Sequence, residues 1–140
     1  MVAHFVRGHS PYCTFCTLNN NADQYMETPS HLFYDCPSVI GIVDEMFCRF
    51  TNDPNFAAGR RDYFASFEYR ELSFAKNRIL TYLSKFIMKY VWDCKTRKFL
   101  PNMEHCWEII TDKFEYLNKY NSGFRTMLQS SNFNLQHHRP

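Results

Sequence analysis

Apolar residues recur at helical spacing in three stretches of the chain. Between Ser38 and Phe50 the residues Val39, Val43, Met46, Phe47 and Phe50 fall on one face, which predicts a short helix. Pro37 suits its first turn, where no backbone N–H is needed. From about Ala75 to Lys98, Ile79, Leu80, Leu83, Phe86, Ile87, Tyr90, Val91 and Cys94 cover a continuous arc at 100° per residue. This long helix should end before Leu100-Pro101. A third begins near Asn102, a residue able to cap it, with Met103, Cys106, Trp107, Ile110, Phe114 and Leu117 as its buried stripe. Asn121-Ser122-Gly123 reads as its stop. Two amphipathic helices joined by a short proline-containing link should pack as an antiparallel pair.

The remaining segments carry no such period. Residues 1–37 are rich in turn formers, Cys and His, with Asn19-Asn20-Asn21 as a loop tip. Thr51 to Arg61 contains Asn-Asp-Pro-Asn and Gly59 and reads as a loop. Tyr63 to Glu71 is open between a short aromatic strand and a helical turn. The chain beyond about Gln129 reads as a frayed, flexible tail, residues 129–140. No internal repeat or low-complexity tract is present.

Composition adds two constraints. Hydrophobic residues make up 45% of the 140, enough for one buried core, and aromatic residues reach 18%. Net charge is only +2, but it is unevenly spread. Residues 1–75 carry five Lys/Arg against nine Asp/Glu, a net of −4, whereas 76–98 carry seven against one, a net of +6. No run approaches the roughly 20 apolar residues of a membrane span, and Met1 to Pro11 does not read as a signal peptide. A reducing intracellular compartment, nucleus or cytoplasm, is therefore expected. There, six cysteines point to a metal site rather than to disulfides.

Cys13 and Cys16 stand two residues apart, so a tight turn can aim both thiolates at one ion. His31 and Cys36, separated by four residues, can converge in the same way. Three thiolates and an imidazole complete a tetrahedral zinc with no open position, the mark of a structural site. His9, four residues before Cys13, is an alternative to His31. Cys94 and Cys106 lie on apolar faces and read as buried small hydrophobes, and Cys48 as an exposed thiol. His105 reads as a solvated residue on the polar side of its helix. The expected fold is mainly α: a small zinc-knuckle module (1–37), then a short helix and the antiparallel pair of amphipathic helices (38–128), packed as one domain.

The run Glu27-Thr28-Pro29-Ser30-His31-Leu32-Phe33-Tyr34-Asp35-Cys36-Pro37, preceded by Cys13-Thr14-Phe15-Cys16, carries more than ligand spacing. It resembles the zinc-binding segment C-terminal to the polymerase in non-LTR (LINE-type) retrotransposon reverse transcriptases. That family pattern is Cys-x2-Cys, a variable loop, Glu-Thr-x2-His-Leu-Phe-x2-Cys-Pro, and an apolar helix. Asn77 to Lys98, centred on Leu83-Ser84-Lys85-Phe86-Ile87-Met88-Lys89-Tyr90, is similar to the lysine-containing helix that follows there. The likeness covers about residues 10–120 and is strong over 13–37. It implies one structural zinc, association with RNA or DNA during target-primed reverse transcription, and a reverse transcriptase core as a partner. The chain would then be the C-terminal piece of such a product or a domesticated remnant.

The long helix supplies separate support for a polyanion. Arg78, Lys85 and Lys89 fall within about 40° of one another at 100° per residue, opposite the apolar arc. Tyr82 and Trp92 flank them, and Lys95, Arg97 and Lys98 extend the charge to the helix end. Such a stripe can meet phosphates and stack unpaired bases together. The bland alternative is a solvated face whose last cations complement the helix dipole. A different function class, a zinc-dependent protein-docking module, is offered by the aromatic stretch Tyr63 to Tyr69. No polymerase motif of the Tyr-x-Asp-Asp type, clustered nuclease carboxylates or Gly-rich phosphate loop occurs, so no catalytic residues are assigned. Neither a membrane nor a small-molecule substrate is expected as a partner.

Overall fold

The computed structural model describes residues 11–19, 25–54, 56 and 72–133. Among them the fold is helical throughout: α1 (Thr14–Leu18), α2 (Pro37–Thr51), α3 (Phe74–Arg97), α4 (Met103–Tyr120) and α5 (Ser122–Ser131). A wide helical turn over His31–Asp35 precedes α2. None of these helices is long and apolar enough to cross a membrane. His9, Arg60-Arg61, Tyr63 to Glu71 and residues 134–140 lie outside the described residues.

The ends of the helices follow from local chemistry. Ser73, Asn102 and Asn121 each accept a hydrogen bond from the backbone N–H three residues on, satisfying one of the orphan donors of α3, α4 and α5. At the other end of α2, Asn52 turns left-handed (φ 55°), and its N–H and that of Asp53 donate to Arg49 and Cys48 carbonyls. Lys98 (φ 59°) closes α3 in the same way, with Lys98 and Phe99 N–H donating to Lys95 and Cys94. These are Schellman-type ends made without glycine.

α3 is the central element. Its buried Ile79, Leu80, Leu83, Ile87, Val91 and Cys94 share one core with Val39, Met46 and Phe47 of α2 and with Cys106, Trp107 and Ile110 of α4. Pairings of Tyr90 with His105 and of Phe86 with Phe114 run in opposite senses along the two helices, so α3 and α4 are antiparallel. Tyr90 braces their link: its hydroxyl accepts from Asn102 N–H at 3.0 Å and lies 3.2 Å from His105 Nδ1. His105 is thus not merely solvated, as its helix position suggested, but tied to α3.

The pair has a third member. α5 packs on α3 more extensively than α4 does, and it also runs against it, Tyr82 meeting Phe124 and Lys76 meeting Phe133. Asn121 ends α4 and caps α5, while Arg125 donates to the Asn118 and Lys119 carbonyls at 2.6 and 2.7 Å. The expectation of a flexible tail from residue 129 is corrected as far as residue 133. Ser131 is fully buried, and the partly buried Phe133 ring packs against the core, 5.3 Å from Phe50.

Candidate metal centre

Two short local structures present the four ligands. Cys13 stands just before α1, and Cys16 lies inside it. Thr28 and Pro29 start the second helical piece: Thr28 Oγ1 accepts from His31 N–H at 3.1 Å, as an N-cap does. The wide turn then carries the chain from His31 to Cys36, whose N–H donates to the His31 carbonyl at 2.7 Å. The extra residue in this turn brings Cys36 round to the side of His31. An antiparallel bridge, with Cys13 N–H donating to Tyr25 O and Glu27 N–H to Pro11 O, ties the two halves together.

The side chains converge as the spacing predicts. Cys13, Cys16, His31 and Cys36 are all buried, and their ligand atoms lie within 4.8 Å of one another. Cys13 Sγ is 3.7 Å from Cys36 Sγ, Cys16 Sγ is 3.9 Å from Cys36 Sγ, and His31 Nε2 is 3.4 Å from Cys16 Sγ. With ordinary zinc–ligand bond lengths, the edges of a tetrahedron are about 3.8 Å between sulfurs and about 3.6 Å between sulfur and nitrogen. The three separations involving Cys36 and Cys16 lie close to those edges and all four ligand atoms fall within 4.8 Å of one another, so the group could hold one metal ion.

The thiols are electrostatically unequal. The Cys13 thiol is pulled below its usual range, first by the hydrogen bond from the Cys36 thiol and then by the Cys16 backbone N–H and His31. Cys36 is pushed up because it donates that bond and is buried.

The other cysteines are apart from this centre. Burial and the neighbouring Cys94 push Cys106 up to about 12, and burial raises Cys94 as well. Cys48 is half-buried rather than exposed, its thiol 3.6 Å from the Pro54 carbonyl and 3.7 Å from that of Phe56.

Around the ligands, two residues matter that ligand spacing alone does not reveal. Tyr25 stacks on His31, ring centroids 4.9 Å apart and tilted by 20°. Glu27 accepts from Thr14 N–H and Oγ1 at 3.1 Å through one carboxylate oxygen. Its other oxygen meets Lys95 Nζ at 2.9 Å, with the side chains 17% and 24% exposed. Glu27 thereby caps α1 and fastens the metal module to the far end of α3. We expect Glu27→Ala to cost about 1–3 kcal/mol, the combined loss of a cap and a half-buried charged hydrogen bond. Glu27→Gln, which keeps an acceptor for Thr14, should cost less. Thermal melting of the metal-loaded protein is the check, and an unchanged midpoint for Glu27→Ala would refute the role.

The basic stripe of α3 is only partly free. Arg78, Lys85, Arg97 and Lys98 are exposed, and Trp92 is 46% exposed. Lys89 is exposed and paired with Asp93 at 2.8 Å. Lys95 is committed to Glu27 and lies 4.6 Å over the Trp92 ring. Tyr82, read from the sequence as an exposed flank, is half-buried with its ring edge-on to Phe124 at 5.2 Å. No protein-family model, curated protein or solved structure matches this chain.

Proposed function

We propose that this protein is a zinc-stabilised module that binds single-stranded nucleic acid, RNA or DNA, in the setting of a retroelement-type reverse transcriptase, and that its work is binding rather than turnover. Zinc is the ion that the donor set favours: three soft thiolates and an imidazole at tetrahedral spacing suit it and leave no position for substrate. The observation that carries the nucleic-acid reading is the placing of cations. Exposed Arg78, Lys85 and Lys89 line one side of α3, with Arg97 and Lys98 beyond them and Trp92 in their midst. The exposed face of α4 carries Glu104 (paired with Arg49), Glu108, Asp112 and Glu115 against Lys119, so α3 is the more favourable side for a polyanion. The Lys89–Asp93 pair is a surface contact of small worth, easily exchanged for a phosphate. The resemblance over residues 13–37 supplies the retroelement context.

A second reading, a protein-docking module, is favoured by Tyr116 and Tyr120. Their rings lie 4.8 Å apart on α4, tilted by 49°, and each is about two-thirds exposed. Salt separates the two readings. Phosphate contacts release counterions and weaken steeply with salt, whereas docking through aromatic rings does not. Fluorescence anisotropy of a labelled single-stranded RNA with zinc-loaded protein should give salt-dependent binding. Lys85→Ala combined with Lys89→Ala should weaken it at least tenfold at low salt. Losing two phosphate contacts should also flatten the slope of log K against log salt by about 1.4. Absence of RNA and DNA binding at low salt would reject this function and favour docking.

A further inference from the structure

Trp92 and Tyr25 belong to different parts of the chain, one to α3 and the other to the metal module, yet one ion pair links their positions. Lys95 Nζ sits 4.6 Å from the centre of the Trp92 ring and 2.9 Å from Glu27 Oε2. Glu27 is two residues beyond Tyr25 on the bridged segment, so their side chains leave the backbone on the same side. Tyr25 covers His31 with one ring face and remains 43% exposed. Trp92 is similarly half covered, by the Lys95 ammonium. Exposed rings with one face fixed by the protein lose little freedom on stacking.

We propose that Tyr25 and Trp92 form a two-ring stacking site for bases of single-stranded RNA, across the seam between the metal module and α3, with the Glu27–Lys95 pair as its spacer. The proposal rests on the nucleic-acid reading above and deepens it. Three features identify the occupant. Open π-faces take unpaired bases of any sequence. Arg97 and Lys98, both exposed, stand just beyond the pair and meet the phosphates of the same strand. Glu27 Oε2, which already faces Lys95, keeps a second lone pair able to accept a hydrogen bond from a hydroxyl, and the sugar of RNA offers one where that of DNA does not. The metal then acts on binding through position: it holds His31, His31 backs Tyr25, and Tyr25 faces the strand.

The test uses the full zinc-loaded chain with a labelled short oligouridylate, an abasic RNA of equal length and the corresponding DNA. Tyr25→Leu and Trp92→Leu are each expected to weaken oligouridylate binding by about 5- to 150-fold, the worth of one stacked base. Neither should alter the salt slope or the affinity for abasic RNA. RNA should also quench tryptophan fluorescence in the wild type and not in Trp92→Leu, because Trp107 is buried. Should Tyr25→Leu lose its metal, Trp92→Leu and the quenching decide the matter. Wild-type affinity in both leucine variants, with binding still weakened by the Lys85 and Lys89 substitutions, would overturn the stacking site and leave the basic face standing. Equal affinity for DNA would overturn RNA as the occupant. No binding of any strand would remove both.

Discussion

Cys36→Ser is expected to abolish stoichiometric zinc binding and to unfold the metal module, the largest single-residue effect anticipated in this chain. Cys36 is the ligand on which the geometry turns: its sulfur is 3.7 Å from that of Cys13 and 3.9 Å from that of Cys16. It also begins α2, and the N–H groups of Val39 and Ile40 both donate to its carbonyl. The described part of the module has few apolar anchors of its own, with Phe15 and Leu32 the only large ones that are buried. Metal ligation is therefore expected to supply most of its stability, which in zinc peptides is on the order of 10 kcal/mol. A whole domain is stable by only about 5–15 kcal/mol, so the loss cannot be absorbed. Chelation of the wild type should give the same state as the substitution. Cys48→Ser is the control, since that thiol lies against the Pro54 and Phe56 carbonyls, outside the Cys/His cluster, and its loss should leave zinc content unchanged. Native circular dichroism and one zinc per chain in Cys36→Ser would refute the claim.

The Cys/His cluster was legible because its spacing is local, and Cys-x2-Cys and His-x4-Cys need only one turn each. Helices α2, α3 and α4 were legible for a related reason: a long apolar period and a good cap, such as Asn102, state the same answer twice. α5 was not. Its Phe124 and Leu128 make barely one apolar stripe over ten residues, and Asn121-Ser122-Gly123 reads as a stop when Asn121 is equally a start. That omission had a consequence on α3. With no element expected beyond α4, Tyr82 fell on the open side of the helical wheel, yet α5 covers it with Phe124. The same omission turned Ser131 and Phe133 into tail. The Glu27–Lys95 pair was hidden for another reason. Its members are 68 residues apart, and a tertiary ion pair leaves no periodic trace. Lys95 accordingly read as one more cation of a binding stripe, when it is the fastening between the metal module and the helices.

The second large effect is expected at Phe114. Phe114→Ala should destabilise the protein by about 3–5 kcal/mol, the usual range for removing a fully buried phenylalanine. Position sets it near the upper end. Phe114 is fully buried in α4, and its ring centre lies 5.0 Å from Phe50, 5.2 Å from Phe86 and 5.5 Å from Phe124. One side chain thus joins α2, α3 and α5, and aromatic contacts of this geometry add to the burial itself. Three rings on three helices cannot all move into the space, so a cavity remains and its cost adds to the lost burial. Phe114→Leu, which keeps most of the volume, should cost much less. Because this knot lies among the helices and the metal ligands lie in the N-terminal module, Phe114→Ala should lower the denaturant midpoint while the folded fraction still binds one zinc. Cys36→Ser should do the reverse, removing the metal first. A Phe114→Ala protein whose midpoint matches the wild type would show that α5 is not held to the rest of the fold through this ring.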